Sequence, residues 1–482
     1  MHSTVQRNLI YRYILILFLF NVAVCMTHLN NLKGRPGEGY YVEVEVGTPP
    51  SKLNVLIDTG STNFAVAGEP HPLVDRYYRS DLSETYKTKD IDIWVPYTQG
   101  CWEGTLGSDL VYIPSLLNLV PVRCDVASIT SAKNFYMNGS NWQGILGLGY
   151  PSISRPSSNV LSWLEAVSYV AGHNSSYYHI RTMPLPFSIT LCGAYNENLD
   201  HSGDFTVGDF LSIPGRGIPP WKLSPIMRKG FYELLLTGMQ LDGYQVKMPC
   251  EEFNNAKTIV DSGTTELRLP PKAFQEVMNM LQTMVAERGR TELPEFWTQQ
   301  QTMCWNKGAI WEEERWLQRF PNITISLAYT TQIGDKERST NPEDLSEDSL
   351  FPYPIDSYFN IVIPPKRFNG IAVMEGFNIM FNQTGRVVGF AKSDCGPDVS
   401  IHGPYPLDFD PAKCAHYMTP RPDSSLPIGA YVIGVLICIC GAILVFLLCQ
   451  VIWVTFRARY LYLLIPSRKR NPSIVNLVTP EF

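Results

Sequence analysis

The 482-residue chain is poor in the signatures of several common classes. Its eleven cysteines form no C-x-x-C pair, and none of the seven from Cys101 to Cys414 has a His at zinc-ligand spacing, so the commonest zinc patterns are absent. No metal or cofactor is expected. There is no basic surplus: charged residues are 17% of the chain and the net charge is -6. A nucleic-acid binder would favour a basic patch, so nucleic acid is not an expected partner. No short-period repeat occurs. A disordered majority is excluded by a composition that is 45% hydrophobic, with 35 Gly and 36 Pro, which reads as globular and turn-rich. The length allows two or three domains.

Long apolar runs are also scarce. The first, Ile14 to Val24, follows Arg7 and Arg12 and ends in small residues near Ala23 to Cys25. It is short for a span and reads as a signal peptide over 1–26. The second runs from Ile428 to Phe456, with Gln450 its only strongly polar residue. About 20 residues suffice to cross the hydrocarbon core, so a transmembrane helix is expected over 428–452, with the bilayer as partner. Arg457, Arg459, Arg468, Lys469 and Arg470 follow, and positive charge stays cytoplasmic. The expectation is a single-pass type I membrane protein of the secretory pathway, endosome, Golgi or cell surface. Its tail would be 457–482.

On that topology the ectodomain, 27–426, carries a net charge of -12, which fits an acidic, oxidising lumen. Seven cysteines lie in it: Cys101, Cys124, Cys192, Cys250, Cys304, Cys395 and Cys414. Disulfides are the default there, but the number is odd. Glycan acceptor sequons begin at Asn138, Asn174, Asn322 and Asn382. In the tail, Leu463-Leu464 is a candidate sorting signal without an upstream acid, and Cys449 a candidate palmitoylation site.

The ectodomain reads mostly as short strands. Gly39 to Gly47 alternates apolar and polar residues, as a half-buried strand does. Leu53 to Ile57 is a short apolar run ending at an Asp. Ile91 to Trp102 and Leu106 to Ile113 have hairpin character, punctuated by Gly100, Gly104 and Gly107. Helices are expected over Asn159 to Val170 and Lys272 to Arg288. Asp335 to Ser349 reads as a solvated loop, and 401–427 as a stalk.

One longer repeat stands out. N-V-L-I-D-T-G-S-T (54–62) and K-T-I-V-D-S-G-T-T (257–265) each place one Asp after an apolar pair and before a hydroxyl and a glycine. A single such tripeptide usually marks an ordinary turn. Two in matching settings suggest two related lobes, 38–190 and 191–400, whose loops meet face to face. Asp58 and Asp261 would then share one site. Two carboxylates that close cannot both ionise easily, so they share a proton. One acid, one base and a held water make amide hydrolysis possible without a covalent intermediate.

These phrases resemble the two active-site loops of pepsin-type aspartic proteases. V-P-Y-T-Q-G-C-W-E-G (95–104) is similar to the flap hairpin of that family. The match is closest to its membrane-anchored β-secretase (memapsin) branch. It is carried also by G-E-G-Y-Y-V-E-V-E-V-G-T-P-P (37–50), N-G-S-N-W-Q-G-I-L-G-L-G-Y (138–150) and T-I-V-D-S-G-T-T-E-L-R-L-P (258–270). The resemblance implies an all-β, bilobal pepsin-like fold with minor helices, plus the C-terminal transmembrane helix. It implies Asp58 and Asp261 as the catalytic pair. Thr59 and Ser262 would lock the loops, Ser61 and Thr264 bond the carboxylates, and Gly60 and Gly263 let substrate backbone approach. The flap residues Tyr97, Thr98, Gln99 and Gly100 would cover an extended peptide from a membrane or secreted protein. Trp102 would bond the Tyr97 hydroxyl, and Arg268 would line a polar subsite. The resemblance pairs Cys192 with Cys395 and Cys250 with Cys414.

The chain departs from the family in three places. After I-V-I-P-P-K-R-F (361–368) it passes straight to N-G-I-A-V-M-E-G-F, where the family has a further strand and the cysteine that would pair Cys304. Phe368-Asn369-Gly370 stands where an apolar-apolar-Gly is usual. Cys101 and Cys124, without counterparts, are candidates for an extra bridge at the base of the flap. Finally, 27–37 is only a short residual prosegment, with no R-x-x-R before the first strand. Three readings follow: a membrane-anchored aspartic endopeptidase suited to ectodomain shedding, a protease-like peptide-binding protein impaired by its shortened second lobe, or a general digestive or endosomal protease without shedding specificity.

Overall fold

The computed structural model describes residues 30–35, 37–98, 100–116, 119–173, 184–194, 200–208, 221–255, 257–288, 297, 320–332, 352–364, 373–418 and 425–463. The first half of the folded body comprises β1 (Leu32–Arg35), β2 (Gly39–Val46), β3 (Ser51–Asp58), β4 (Phe64–Ala67), β5 (Lys87–Pro96), β6 (Cys101–Tyr112), β7 (Val122–Lys133), β8 (Gly144–Gly147) and α1 (Trp163–His173). Then come β9 (Phe187–Ala194), β10 (His201–Val207), β11 (Lys222–Pro225), β12 (Glu233–Leu234), β13 (Leu236–Leu241), β14 (Tyr244–Gln245), α2 (Cys250–Phe253), β15 (Thr258–Ile259) and α3 (Pro271–Glu287). Then follow β16 (Ile323–Tyr329), β17 (Ser357–Ile363), β18 (Phe377–Asn382), β19 (Val387–Lys392) and β20 (Ser400–Pro406). Residues to Met418 form one compact unit; the rest, with helix α4 (Ser425–Leu463), form another.

The alternation in G-Y-Y-V-E-V-E-V produces β2 as expected. Val42, Val44 and Val46 are buried, while Glu43 points to solvent. Their partners across the ladder, Val55, Leu53 and Ser51, run β3 directly up to Asp58. A thirteen-stranded sheet runs β11-β19-β18-β9-β10-β1-β2-β3-β8-β4-β7-β6-β5, so both halves of the chain contribute to it. The expected boundary at 190/191 therefore falls inside β9, whose neighbours are β10 and β18. A five-stranded sheet, β14-β13-β16-β17-β20, and the small pair β12-β15 complete the second half. Aromatic rings fill the seam: Phe187 stacks on Phe381 at 4.9 Å, and Tyr232 meets Phe381 edge-on at 4.7 Å.

Two disulfides close long loops, Cys192–Cys395 and Cys250–Cys414. Each restricts the unfolded chain over more than a hundred residues, which favours the folded state by a few kcal/mol. The second one corrects the expected stalk. Residues 400–406 form an edge strand paired with β17, and Cys414 is tied to α2, so the folded body extends to Met418. An edge strand has one neighbour and stays largely exposed, and S-I-H-G-P-Y-P therefore looks like a linker in sequence.

The Cys101–Cys124 bridge is also corrected. Both residues are free, although they lie on adjacent strands. Cys101 faces Lys133 across the ladder and Cys124 faces Asp109. Eight residues of strand, about 25 Å, separate the two positions. The hairpin differs from its expected bounds for a related reason. Gly104 and Gly107 are not turn residues but lie inside β6, where a Cβ on Gly104 would meet Ser128 O at 2.2 Å. Cys304, Asn174, Gln99, Phe368-Asn369-Gly370, the 1–26 segment and the 335–349 loop lie outside the described residues.

Helix α4 contains an apolar stretch, Ile439–Arg457, long enough to cross a membrane. Its 39 residues span about 58 Å at 1.5 Å per residue, more than a hydrocarbon core needs.

Candidate active site

The two repeated phrases sit against each other. Asp58 ends β3 and Asp261 follows β15, and the residues after each Asp exchange hydrogen bonds. Thr59 N–H donates to Ser262 Oγ at 3.0 Å and Ser262 N–H donates to Thr59 Oγ1 at 2.9 Å. Each hydroxyl then donates across to the other strand: Thr59 to Val260 O at 2.8 Å and Ser262 to Ile57 O at 2.6 Å. Thr59 and Ser262 are almost wholly buried, so the four bonds work in a water-poor setting.

Each carboxylate is held in the same way. Gly60 N–H donates to Asp58 Oδ1 at 2.8 Å, and the Ser61 hydroxyl donates to Asp58 Oδ2. Gly263 N–H donates to Asp261 Oδ1 at 2.9 Å, and Thr264 Oγ1 to Asp261 Oδ2 at 2.8 Å. The glycines are needed for space. A Cβ at Gly60 would lie 2.6 Å from both Asp261 carboxylate oxygens, and one at Gly263 would lie 2.5 Å from Asp58 Oδ1. Each loop's glycine thus lies directly against the other loop's carboxylate.

Burial, and then the Asp261 charge beside it, pushes the Asp58 carboxyl up to about 8. Asp58 is only 4% exposed, whereas Asp261 is partly open. The environment therefore favours a proton on the pair at mildly acidic pH. The scaffolds behind the two acids differ. The Asp58 strand pairs in parallel with β8, Asp58 lying beside Gly147. The Asp261 strand, β15, is two residues long and pairs with β12. Among the described residues it has no other strand partner.

The β5–β6 hairpin lies over the pair. Its turn closes with Tyr97 N–H donating to Gly100 O at 3.0 Å, and Gly100 takes a φ of +79° that favours glycine. Tyr97 stacks on Phe135, and Trp102 Nε1 donates to its hydroxyl at 3.4 Å. Burial followed by the charge of Asp58 raises the pKa of that hydroxyl, which places the ring close to the acid pair. Thr98 is exposed at the turn. Arg268 is also exposed, 3.5 Å from Glu266, and no described contact joins it to either carboxylate. Among the described residues, no three His, Cys, Asp or Glu side chains converge as a metal would require.

Three residues absent from the expected set back the first loop. Leu148 N–H donates to Asp58 O at 2.8 Å and Gly149 N–H to Ser61 O at 2.7 Å. The Tyr232 hydroxyl donates to Leu148 O at 2.6 Å. The glycine-rich phrase I-L-G-L-G-Y was a signal for the first two; Tyr232 carries none.

A model of the eukaryotic aspartyl protease family matches residues 39–327. The chain is 35% identical over 439 residues to a β-secretase of Strongylocentrotus purpuratus, covering 85% of this chain and 79% of that protein. It is 26% identical over 245 residues to a vacuolar aspartic protease of Candida albicans, covering 50% of this chain and 53% of that one. To cathepsin E-B of Xenopus laevis it is 25% identical over 246 residues, covering 50% and 56%.

Proposed function

The chain belongs to the eukaryotic aspartyl protease family, as an aspartic-type endopeptidase of the β-secretase type, and from that premise we propose that Asp58 and Asp261 are its catalytic pair. The observation that carries this is the reciprocal bonding of Thr59 and Ser262, with each carboxylate against the other loop's glycine. In this reading a peptide lies extended under Tyr97 and a water sits between the carboxylates. The more open Asp261, ionised, takes a proton from the water, whose oxygen attacks the peptide carbonyl carbon. The deeply buried Asp58, protonated, gives its proton to the carbonyl oxygen. Collapse of the gem-diol intermediate breaks the C–N bond as one of its hydroxyls returns a proton to Asp58, and the proton held by Asp261 goes to the leaving nitrogen. Gly60 and Gly263 leave the space in which the substrate backbone approaches.

The finer assignment is a type I protein with a signal peptide over 1–26, a residual prosegment over 27–37, two catalytic lobes, an anchor over 428–452 and a tail over 457–482. Such an anchor presents the cleft to extended segments of membrane proteins in an acidic lumen or at the cell surface. Shedding of ectodomains is then the expected work. The alternative, peptide binding without turnover, has one observation in its favour: the two-residue β15 behind Asp261.

One experiment separates them. The full chain in detergent is assayed with an internally quenched peptide between pH 4 and 7, beside Asp58→Asn and Asp261→Asn. Cleavage by the wild type and not by either variant supports the enzyme reading. A folded wild type that binds the peptide without cutting it overturns that reading. Faster cutting of a substrate reconstituted in the same bilayer than of its soluble segment supports shedding, and equal rates oppose it.

A further inference from the structure

The two acid loops are joined a second time, through buried residues. Leu148 N–H holds Asp58 O at 2.8 Å, and Leu148 O accepts the Tyr232 hydroxyl at 2.6 Å. The carbonyl of Tyr232 accepts Val260 N–H at 3.0 Å, and Val260 immediately precedes Asp261. One residue therefore spans both loops: its side chain meets the backing of Asp58 and its main chain meets the strand that delivers Asp261.

Gln383, in the turn between β18 and β19, completes the arrangement. Its Nε2 lies 2.8 Å from the Tyr232 hydroxyl and 3.2 Å from both Leu148 O and Gly149 O. A glutamine amide has two donors. One serves the Tyr232 hydroxyl, and the other is shared by the two carbonyls. Tyr150 closes the group, its hydroxyl donating to Gln383 O at 3.4 Å and its N–H to Gly230 O at 3.2 Å. Tyr232 is fully buried, Leu148 likewise, and Gln383 is 6% exposed. Losing a partner there leaves polar groups unmatched in a place water does not reach.

We propose that Tyr232 and Gln383 are positioning residues that set how closely the carboxylates of Asp58 and Asp261 approach. Neither touches the reacting atoms. The Thr59–Ser262 bonds fasten the loops at the cleft floor, and the Tyr232–Gln383 clamp fixes the angle at which their supports meet. Loosening it leaves the peptide groove intact but moves the acids apart. This rests on the catalytic assignment of Asp58 and Asp261.

The test uses the full chain in detergent, with a quenched peptide selected from a mixed-sequence library for cleavage by the wild type. Gln383→Met keeps the length and removes both donors; Tyr232→Phe removes one hydroxyl and preserves the ring packing, and it decides the matter if the first variant does not fold. Ile361→Val, a core change in β17, is the control for simple loss of stability. The expected result is a fall in kcat of about tenfold with KM within about twofold, because small misplacements act on the chemical step. The two limbs of the kcat/KM–pH profile should also draw together, since carboxylates further apart couple less. The control should leave the profile unmoved. An active wild type with unchanged kcat and profile in the folded variants overturns the clamp alone. A control that shifts the profile as much also overturns it. A folded wild type that cuts no peptide of the library overturns both the clamp and the catalytic reading.

Discussion

Replacing Ser262 by Ala tests the coupling of the two loops with the fewest atoms. The hydroxyl makes two bonds, donating to Ile57 O at 2.6 Å and accepting from Thr59 N–H at 3.0 Å. Its removal leaves a carbonyl and an amide unmatched in a buried setting, at about 1–3 kcal/mol each. The expected loss is roughly 2–6 kcal/mol, less any relaxation that lets the two groups find each other. Thr59→Val removes the mirror pair, to Val260 O and from Ser262 N–H, and should cost a similar amount. The double variant should lose less than the sum, because either change alone already parts the loops; a coupling of about 0.5–3 kcal/mol is expected for residues in one network. Urea unfolding of the four proteins measures all of this. Hydrogen exchange adds a directional check. The Asp58 strand keeps its parallel partner β8, while β15 has only the two-residue pairing with β12. Exchange should therefore quicken at 258–264 more than at 55–61. Strictly additive losses, or equal quickening on both sides, would refute the reasoning.

Other consequences follow from the same geometry. The Asp58 carboxyl is raised to about 8 in the folded state, so the folded protein holds this proton more tightly than the unfolded chain. Its contribution to stability is fully present below about pH 4 and is lost as pH rises toward 8. Asp58→Asn should thus gain on the wild type as pH rises from 4 to 7, read by thermal melts; parallel curves would contradict it. His201 acts in the opposite sense: burial lowers its pKa to about 4, with Asp200 opposing. Its stabilising share is present above about pH 6.5 and lost as pH falls to 4, so His201→Gln should flatten the acid limb by on the order of 2 kcal/mol. Gly60→Ala should abolish cleavage, since its methyl carbon would fall 2.6 Å from the Asp261 carboxylate oxygens; retained kcat would show that the loops stand further apart. Maleimide labelling of the native chain should modify Cys101, which is partly open, and spare Cys124, which is buried. Protection of both by a mutual bond would show that the strand register is wrong.

Much of the site was legible because its chemistry is local. D-T-G-S and D-S-G-T each carry their own carboxylate, hydroxyl and backbone donors within four residues, and the structure reproduces both sets of bonds. The strand pattern of β2 was equally plain. What was missed depends on register or on distant contacts. Nothing in the sequence says that Cys101 lies eight residues along the ladder from the partner of Cys124, beyond a bulge between Glu103 and Gly104. An exposed edge strand at 400–406 has too little apolar alternation to be told from a linker. Tyr232 and Gln383 meet Leu148 from 84 and 235 residues away, and such contacts leave no local trace.

The central claim is that Asp58 and Asp261 belong to one site, and the titration of Asp58 tests it most directly. Carboxyl carbon NMR of the wild type and Asp261→Asn follows that group without requiring activity. Burial alone should keep the Asp58 pKa above the usual carboxylate range, and loss of the neighbouring charge should bring it clearly down from its wild-type value. An Asp58 titration that does not move when Asp261 is replaced would contradict the account.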